Sequence, residues 1–135
     1  MKPFGRWLAS RATLLATHKV NTWSGLVLIA WAKVIFWNST PLTTVASYRI
    51  TTDIFNEDHW EMIAFTVGCV QLIGVISGSK WIRFVASSLA AWIFFTLGYS
   101  LISASAIAPG STLHFGWGFI NLHSMMFAIK RRQKD

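Results

Sequence analysis

A single cysteine, Cys69, stands in the 135-residue chain, so no intrachain disulfide can staple it and no second thiol completes a metal or redox pair. Its place inside an apolar run makes it a small packing residue. Charge is scarce as well. Only 13% of the residues are charged, against about 25% in an ordinary soluble domain, while 53% are hydrophobic, a balance that excludes the soluble class. Acids are scarcest, five against twelve Lys and Arg. There is no internal repeat, and no low-complexity tract beyond a short basic tail. The apolar runs are continuous rather than alternating, which excludes a membrane β-barrel.

What is present is a net charge of +7, and its distribution matters more than its size. The basic residues fall at the N-terminus (Lys2, Arg6, Arg11, Lys19), in one tight turn (Lys80, Arg83) and at the C-terminus (Lys130, Arg131, Arg132, Lys134). Each group abuts a hydrophobic segment, the pattern that meets anionic headgroups on a cytoplasmic leaflet rather than nucleic acid. Because short basic loops stay cytoplasmic during insertion, these ten residues place both termini and the turn inside. Arg49 alone falls on the opposite side. Lys33 lies within an apolar stretch, about one turn from its outer end, where its ammonium can snorkel outward.

Four apolar segments follow from this reading. The first, a span of about 22–38, has the apolar stretch TWSGLVLIAWAKVIFW from Thr22 to Trp37, roughly 24 Å long and a little under the hydrocarbon thickness unless it extends into Lys19 to Asn21. The second covers 60–79, and the turn Lys80 to Arg83 forces the third, 81–107, to run antiparallel beside it. Ala108, Pro109, Gly110 and Ser111 break the chain before the fourth, 112–130. Backbone polar groups in lipid must be satisfied internally, so the predicted fold is all-α: an integral membrane four-helix bundle running up, down, up, down over 21–130. Residues 1–20 read as a retained basic segment lying on the cytoplasmic surface, rather than as a transit or signal peptide, and 131–135 as a basic cytoplasmic tail.

The long connection 38–59 gathers Ser, Thr and Asn around Pro41, and the four non-terminal acids stand at its end. Leu42, Val45, Tyr48, Arg49, Thr52 and Phe55 recur at helical spacing, which predicts a short amphipathic helix capping the outer side. Tyr48, Arg49, Asp53, Glu57, Asp58, His59 and Glu61 form the candidate recognition surface there. Of the tryptophans, Trp7, Trp23, Trp37, Trp60, Trp81 and Trp117 fall near predicted interfaces, leaving Trp31 and Trp92 as expected core residues.

Candidate chemistry lies at mid-depth. Gln71 and Asn121 fall near the middles of the second and fourth spans, which invites an interhelical hydrogen bond with Thr96 on the third as a further partner. Such contacts fix the register of a bundle or line a polar path. His123 lies two residues past Asn121, while His59 and His114 sit near outer ends, and neither an HxxxH nor an HExxH spacing occurs. No haem, metal or other cofactor is therefore expected. Serines abound in the third span, yet no GxSxG or comparable nucleophile arrangement appears, so no catalytic residue is assigned and no enzyme is expected. Gly74 and Gly78 form a GxxxG at the end of the second span, suited to packing on the third or to dimerisation.

In order and spacing the chain resembles a loose group of small four-span membrane proteins of tailed bacteriophages and prophages. The resemblance runs from Trp23 to Asn121. It rests on Trp31 and Trp37, the loop pair Tyr48 and Arg49, the start His59, Trp60, Glu61, then Gly68, Gln71 and Leu72, the basic turn, Trp92 with Phe94, and Asn121 with Leu122. Some members of that group are labelled holin-like. The resemblance implies a non-enzymatic inner-membrane protein acting by helix association as a homo-oligomer. The alternative is a partner protein, such as a superinfection-exclusion factor, that binds a host membrane protein through its outer loop; a third reading is a small subunit of a haem or quinone enzyme.

Overall fold

The computed structural model describes Trp7 and residues 18–37, 49–104 and 109–130. The rest of the basic N-terminal segment, the loop 38–48 with Tyr48, residues 105–108 and the tail 131–135 lie outside the described residues. Every described element is helical: α1 (Lys19–Trp37), the short α2 (Arg49–Ile54), α3 (Glu57–Ser77), α4 (Lys80–Ser103) and α5 (Pro109–Lys130). Two of these, α3 and α4, are long and apolar enough to cross a membrane by length and composition. In α1 and α5 the apolar stretch is interrupted by Asn21, Ser24 and Lys33, and by His114, Asn121, His123 and Ser124.

Local chemistry sets the boundaries. Asn56 caps α3 by accepting from the His59 backbone N–H at 3.1 Å, and Glu57 and Asp58 place negative charge against the dipole of the first turn. The helix therefore begins three residues ahead of the expected Trp60. At its other end Gly78 adopts the left-handed conformation, φ 71°, with its N–H bonded to the Val75 carbonyl. Ser79 then caps α4 by accepting from the Ile82 N–H at 3.4 Å. Gly78 of the GxxxG pair is thus a cap, while Gly74 is buried against Ile82 and Arg83 of the adjacent helix. Pro109 opens α5 instead of standing in the turn before it, since its missing N–H has no partner to lose in a first helical turn. α4 stops at Ser103, four residues short of the expected end.

The four long helices pack as two antiparallel pairs, α1 on α3 and α4 on α5. The pairs meet chiefly along α3 and α4, and α1 touches α5 only sparsely. Glycine brings the first pair together: a Cβ added to Gly68 would lie 2.7 Å from the Gly25 carbonyl oxygen, and one on Gly25 would lie 2.9 Å from that of Gly68. No rotamer relieves a clash with backbone. In the second pair the glycines accept aromatic rings, Gly98 against Phe115 and Gly118 against Phe95. Phe95 also meets Phe115 and Phe119, with centroids 5.8 and 5.2 Å apart.

Between the pairs, the half nearer α2 is apolar. Leu28, Ala32, Trp60, Ala64, Val67, Ile93, Phe94 and Leu97 form its buried core. Trp60 is the large residue at its centre, 0% exposed, whereas Trp92 is 43% exposed and stacks on Trp60 from outside at 5.6 Å. This reverses the expected assignment of the two. Trp60 can be buried near a helix end because α2 lies over it and supplies an acceptor, the Thr51 carbonyl, 2.6 Å from Nε1. The buried residue of α2 is accordingly Thr51, not the expected face of Arg49, Thr52 and Phe55.

Candidate functional site, a polar seam between the helix pairs

In the other half, toward the turn Lys80 to Arg83, the pairs meet through side-chain hydrogen bonds. Asn121 is the central member. Its Oδ1 accepts from the Ser24 hydroxyl at 3.0 Å and from the Gln71 amide at 2.9 Å, and its Nδ2 donates to the Trp117 carbonyl at 2.8 Å. These contacts join α1, α3 and α5 at one depth, and Ser24, Gln71 and Asn121 are all fully buried. One turn nearer the basic end, the buried Asn21 Oδ1 accepts from Ser87 at 3.2 Å and from Ser124 at 2.6 Å, joining α1 to α4 and α5.

A further turn out, Arg83 lies almost wholly inside. Its Nη1 sits 2.8 Å from Nδ1 and 2.9 Å from Nε2 of His18, and its Nε donates to the Ser79 carbonyl at 3.4 Å. Read in sequence as a topology marker, Arg83 is in the structure a buried member of the seam. Every one of these side-chain pairs crosses from α1 or α3 to α4 or α5, apart from the residue immediately preceding α1, His18, which extends the α1 side.

Two atoms break the pattern. Among the described residues Gln71 Oε1 is buried with no hydrogen-bond partner, as is Thr51 Oγ1 at the opposite end. An unmet buried acceptor costs about 1–3 kcal/mol, more than a single interhelical hydrogen bond returns in lipid, about 0.6–2 kcal/mol. The amide side of Gln71 is therefore engaged and its carbonyl side is open to a donor.

Of the other expected residues, Thr96 is half-buried on α4 and makes no hydrogen bond with Gln71 or Asn121; Ser24 takes that place. His123 and Lys33 are exposed on the outer surfaces of α5 and α1. On the far end, Arg49, Asp53, Asp58 and His59 are exposed, Glu57 and Glu61 half-buried, and the His59 ring contacts the Asn56 side chain. α2 is fixed there by the Trp60 bond and by the Thr51 N–H donating to Ser100 Oγ at 3.4 Å. Among the described residues no three His, Cys, Asp or Glu side chains gather as a metal set.

Asn21, Ser24, Ser87 and Ser124 escaped the sequence reading. The available signal was their recurrence near three and four along helix faces, Asn21 with Ser24 and Asn121 with Ser124. Comparison with protein-family models, curated proteins and solved structures yields no match for this chain.

Proposed function

We propose that this chain is a non-enzymatic, four-span protein of a bacterial inner membrane, with both termini cytoplasmic, that acts by binding a host membrane protein at its outer-loop end. The observation that carries the membrane reading is an inverted distribution of polarity. Amides, serines and an arginine are buried, while large apolar side chains face outward on all four long helices: Leu26 and Val34 on α1, Met62 and Ile73 on α3, Val85 and Leu89 on α4, Leu113 and Phe119 on α5. In water that arrangement would be doubly costly; in lipid it is the favourable one. Apart from Lys33 and His123, the outward faces of α1 and α5 also carry large apolar side chains, which supports four spans.

Binding is favoured over pore formation by helix association because the close-packing glycines Gly25, Gly68, Gly74, Gly98 and Gly118 are each engaged within the chain. The far end, by contrast, offers exposed Ile54, Phe55 and Met62 among Arg49, Asp53, Asp58 and His59, on a helix pinned to the body of the protein. Induced expression in a bacterium, followed with a potential-sensitive dye, tests this. The membrane potential is expected to hold while phage entry is blocked, and Phe55→Asp with Met62→Asp is expected to remove the block. Abrupt loss of potential at a fixed time overturns the reading in favour of holin-like assembly. That second reading is favoured by Gly116, beside which no described residue lies within 4 Å of an added Cβ.

A further inference from the structure

The unmet Gln71 carbonyl lies at the blind end of a file of polar side chains that leads to one end of the molecule. We propose that the seam is a water-accessible half-channel, entered at His18 and Arg83, ending at Gln71 and closed beyond it by the apolar core around Leu28 and Leu97. This inference rests on the four-span reading.

Three observations carry it. A buried acceptor in a low-dielectric interior requires a donor, and a buried water needs two to four polar partners. The Ser24 hydroxyl and the Gln71 amide both donate to the same Asn121 oxygen, at 3.0 and 2.9 Å, so the unmet Gln71 carbonyl belongs to a side chain already set in the polar file. The route outward also follows sparse packing, where α1 meets α4 and α5. Along it each protein contact is an amide or hydroxyl hydrogen bond that water can replace at a cost of about 0.6–2 kcal/mol. Within the pairs the closest contacts, glycine on backbone and on aromatic rings, have no such exchange available. Water entering the seam therefore loosens α1 from α4 and α5 without breaking either pair.

The chemistry of the walls sets what can enter. Asn21, Asn121 and Gln71 present carbonyl oxygens, the serines supply hydroxyls, and the guanidinium of Arg83 stands at the mouth. The described acids, Asp53, Glu57, Asp58 and Glu61, all lie at the opposite end. The seam thus admits water and small uncharged hydrogen-bond donors, tolerates an anion at its entrance, and repels cations.

Thiol labelling tests it. In a Cys69→Ala background, Ser87→Cys and Ser24→Cys report the seam, Leu28→Cys and Leu97→Cys the apolar core; serine to cysteine is nearly isosteric. In sealed vesicles, small methanethiosulfonates added from the side bearing the basic turn are expected to modify both serine positions at least about tenfold faster than the core positions. The anionic reagent should outpace the cationic one. Equally slow labelling at all four positions overturns the half-channel, as does faster labelling from the other side. Hydrogen exchange of the unsubstituted protein in nanodiscs gives a second reading. Amides of α5 around Asn121 should exchange at least about tenfold faster than those of α4 around Leu97, and parity overturns the proposal. Protease accessibility of an epitope after residue 135 reports the topology separately. Termini on opposite faces would sink the four-span reading, whereas an internal epitope with unreactive serines would sink the half-channel alone.

Discussion

Within each helix pair the closest contacts are of glycine with backbone and aromatic rings; between the pairs, over half their length, amides, hydroxyls and a guanidinium join the helices beside a single glycine contact, Gly74 on Ile82 and Arg83. The difference follows from the solvent. Lipid supplies no hydrophobic force to drive one apolar helix onto another, so association must come from close packing or from directional hydrogen bonds. The glycine contacts are short, stiff and intolerant of added volume. The seam contacts are longer in reach, individually weak and exchangeable with water. One molecule thus uses both solutions, the first to make two rigid units and the second to join them.

Breaking the rigid contact should have the largest effect. Gly68→Ala places a methyl 2.7 Å from the Gly25 carbonyl oxygen and 2.8 Å from the Ile29 side chain, and only separation of α1 from α3 relieves it. A loss of about 1–3 kcal/mol is expected in unfolding from mixed micelles. Gly116→Ala, with nothing within 4 Å, is the matched control and should change stability little. Next comes Trp60→Phe, which leaves a gap at the centre of the apolar core, reduces the donors to the Thr51 carbonyl to the Phe55 N–H, and takes from α2 one of its two ties to the body. Roughly 1–3 kcal/mol is at stake, and faster hydrogen exchange confined to residues 49–54 would identify the anchor as the part lost.

The pairing of Gln71 with Asn121 was legible in the sequence because an amide deep in an apolar run has few partners to choose from. Their depth alone brought them together. Ser24, Asn21 and Ser87 were not legible, since a serine or asparagine near a span end satisfies its needs with water or its own backbone as readily as with another helix. Arg83 was hidden by the rule that made it useful, for a basic residue at a span end counts toward orientation whether it faces water or the interior. Trp60 was misplaced for the same reason. A tryptophan near a helix end reads as an interfacial anchor, and only the tertiary position of α2 supplies the cover and the acceptor that bury it. The helical character of the chain, by contrast, needed only the continuity of its apolar runs. The approach of Gly25 to Gly68 joins two helices 43 positions apart and carries no local motif.

Within the seam, Asn121→Leu and Gln71→Leu separate joining from hydration. Asn121→Leu strips an acceptor from both Ser24 and Gln71, leaving two buried donors unmet, and is expected to cost about 1–3 kcal/mol in micelle unfolding. Gln71→Leu is a smaller perturbation. It deletes one interhelical hydrogen bond worth about 0.6–2 kcal/mol, and the Asn121 oxygen keeps its bond from Ser24. Stability should fall by no more than that one bond. The water at the blind end makes a further demand: with Gln71→Leu it loses its acceptor, and the labelling rate at Ser24→Cys should fall while that at Ser87→Cys is retained. That selective fall assigns Gln71 to holding water as well as to joining helices, and an unchanged rate at Ser24→Cys leaves it the joining role alone.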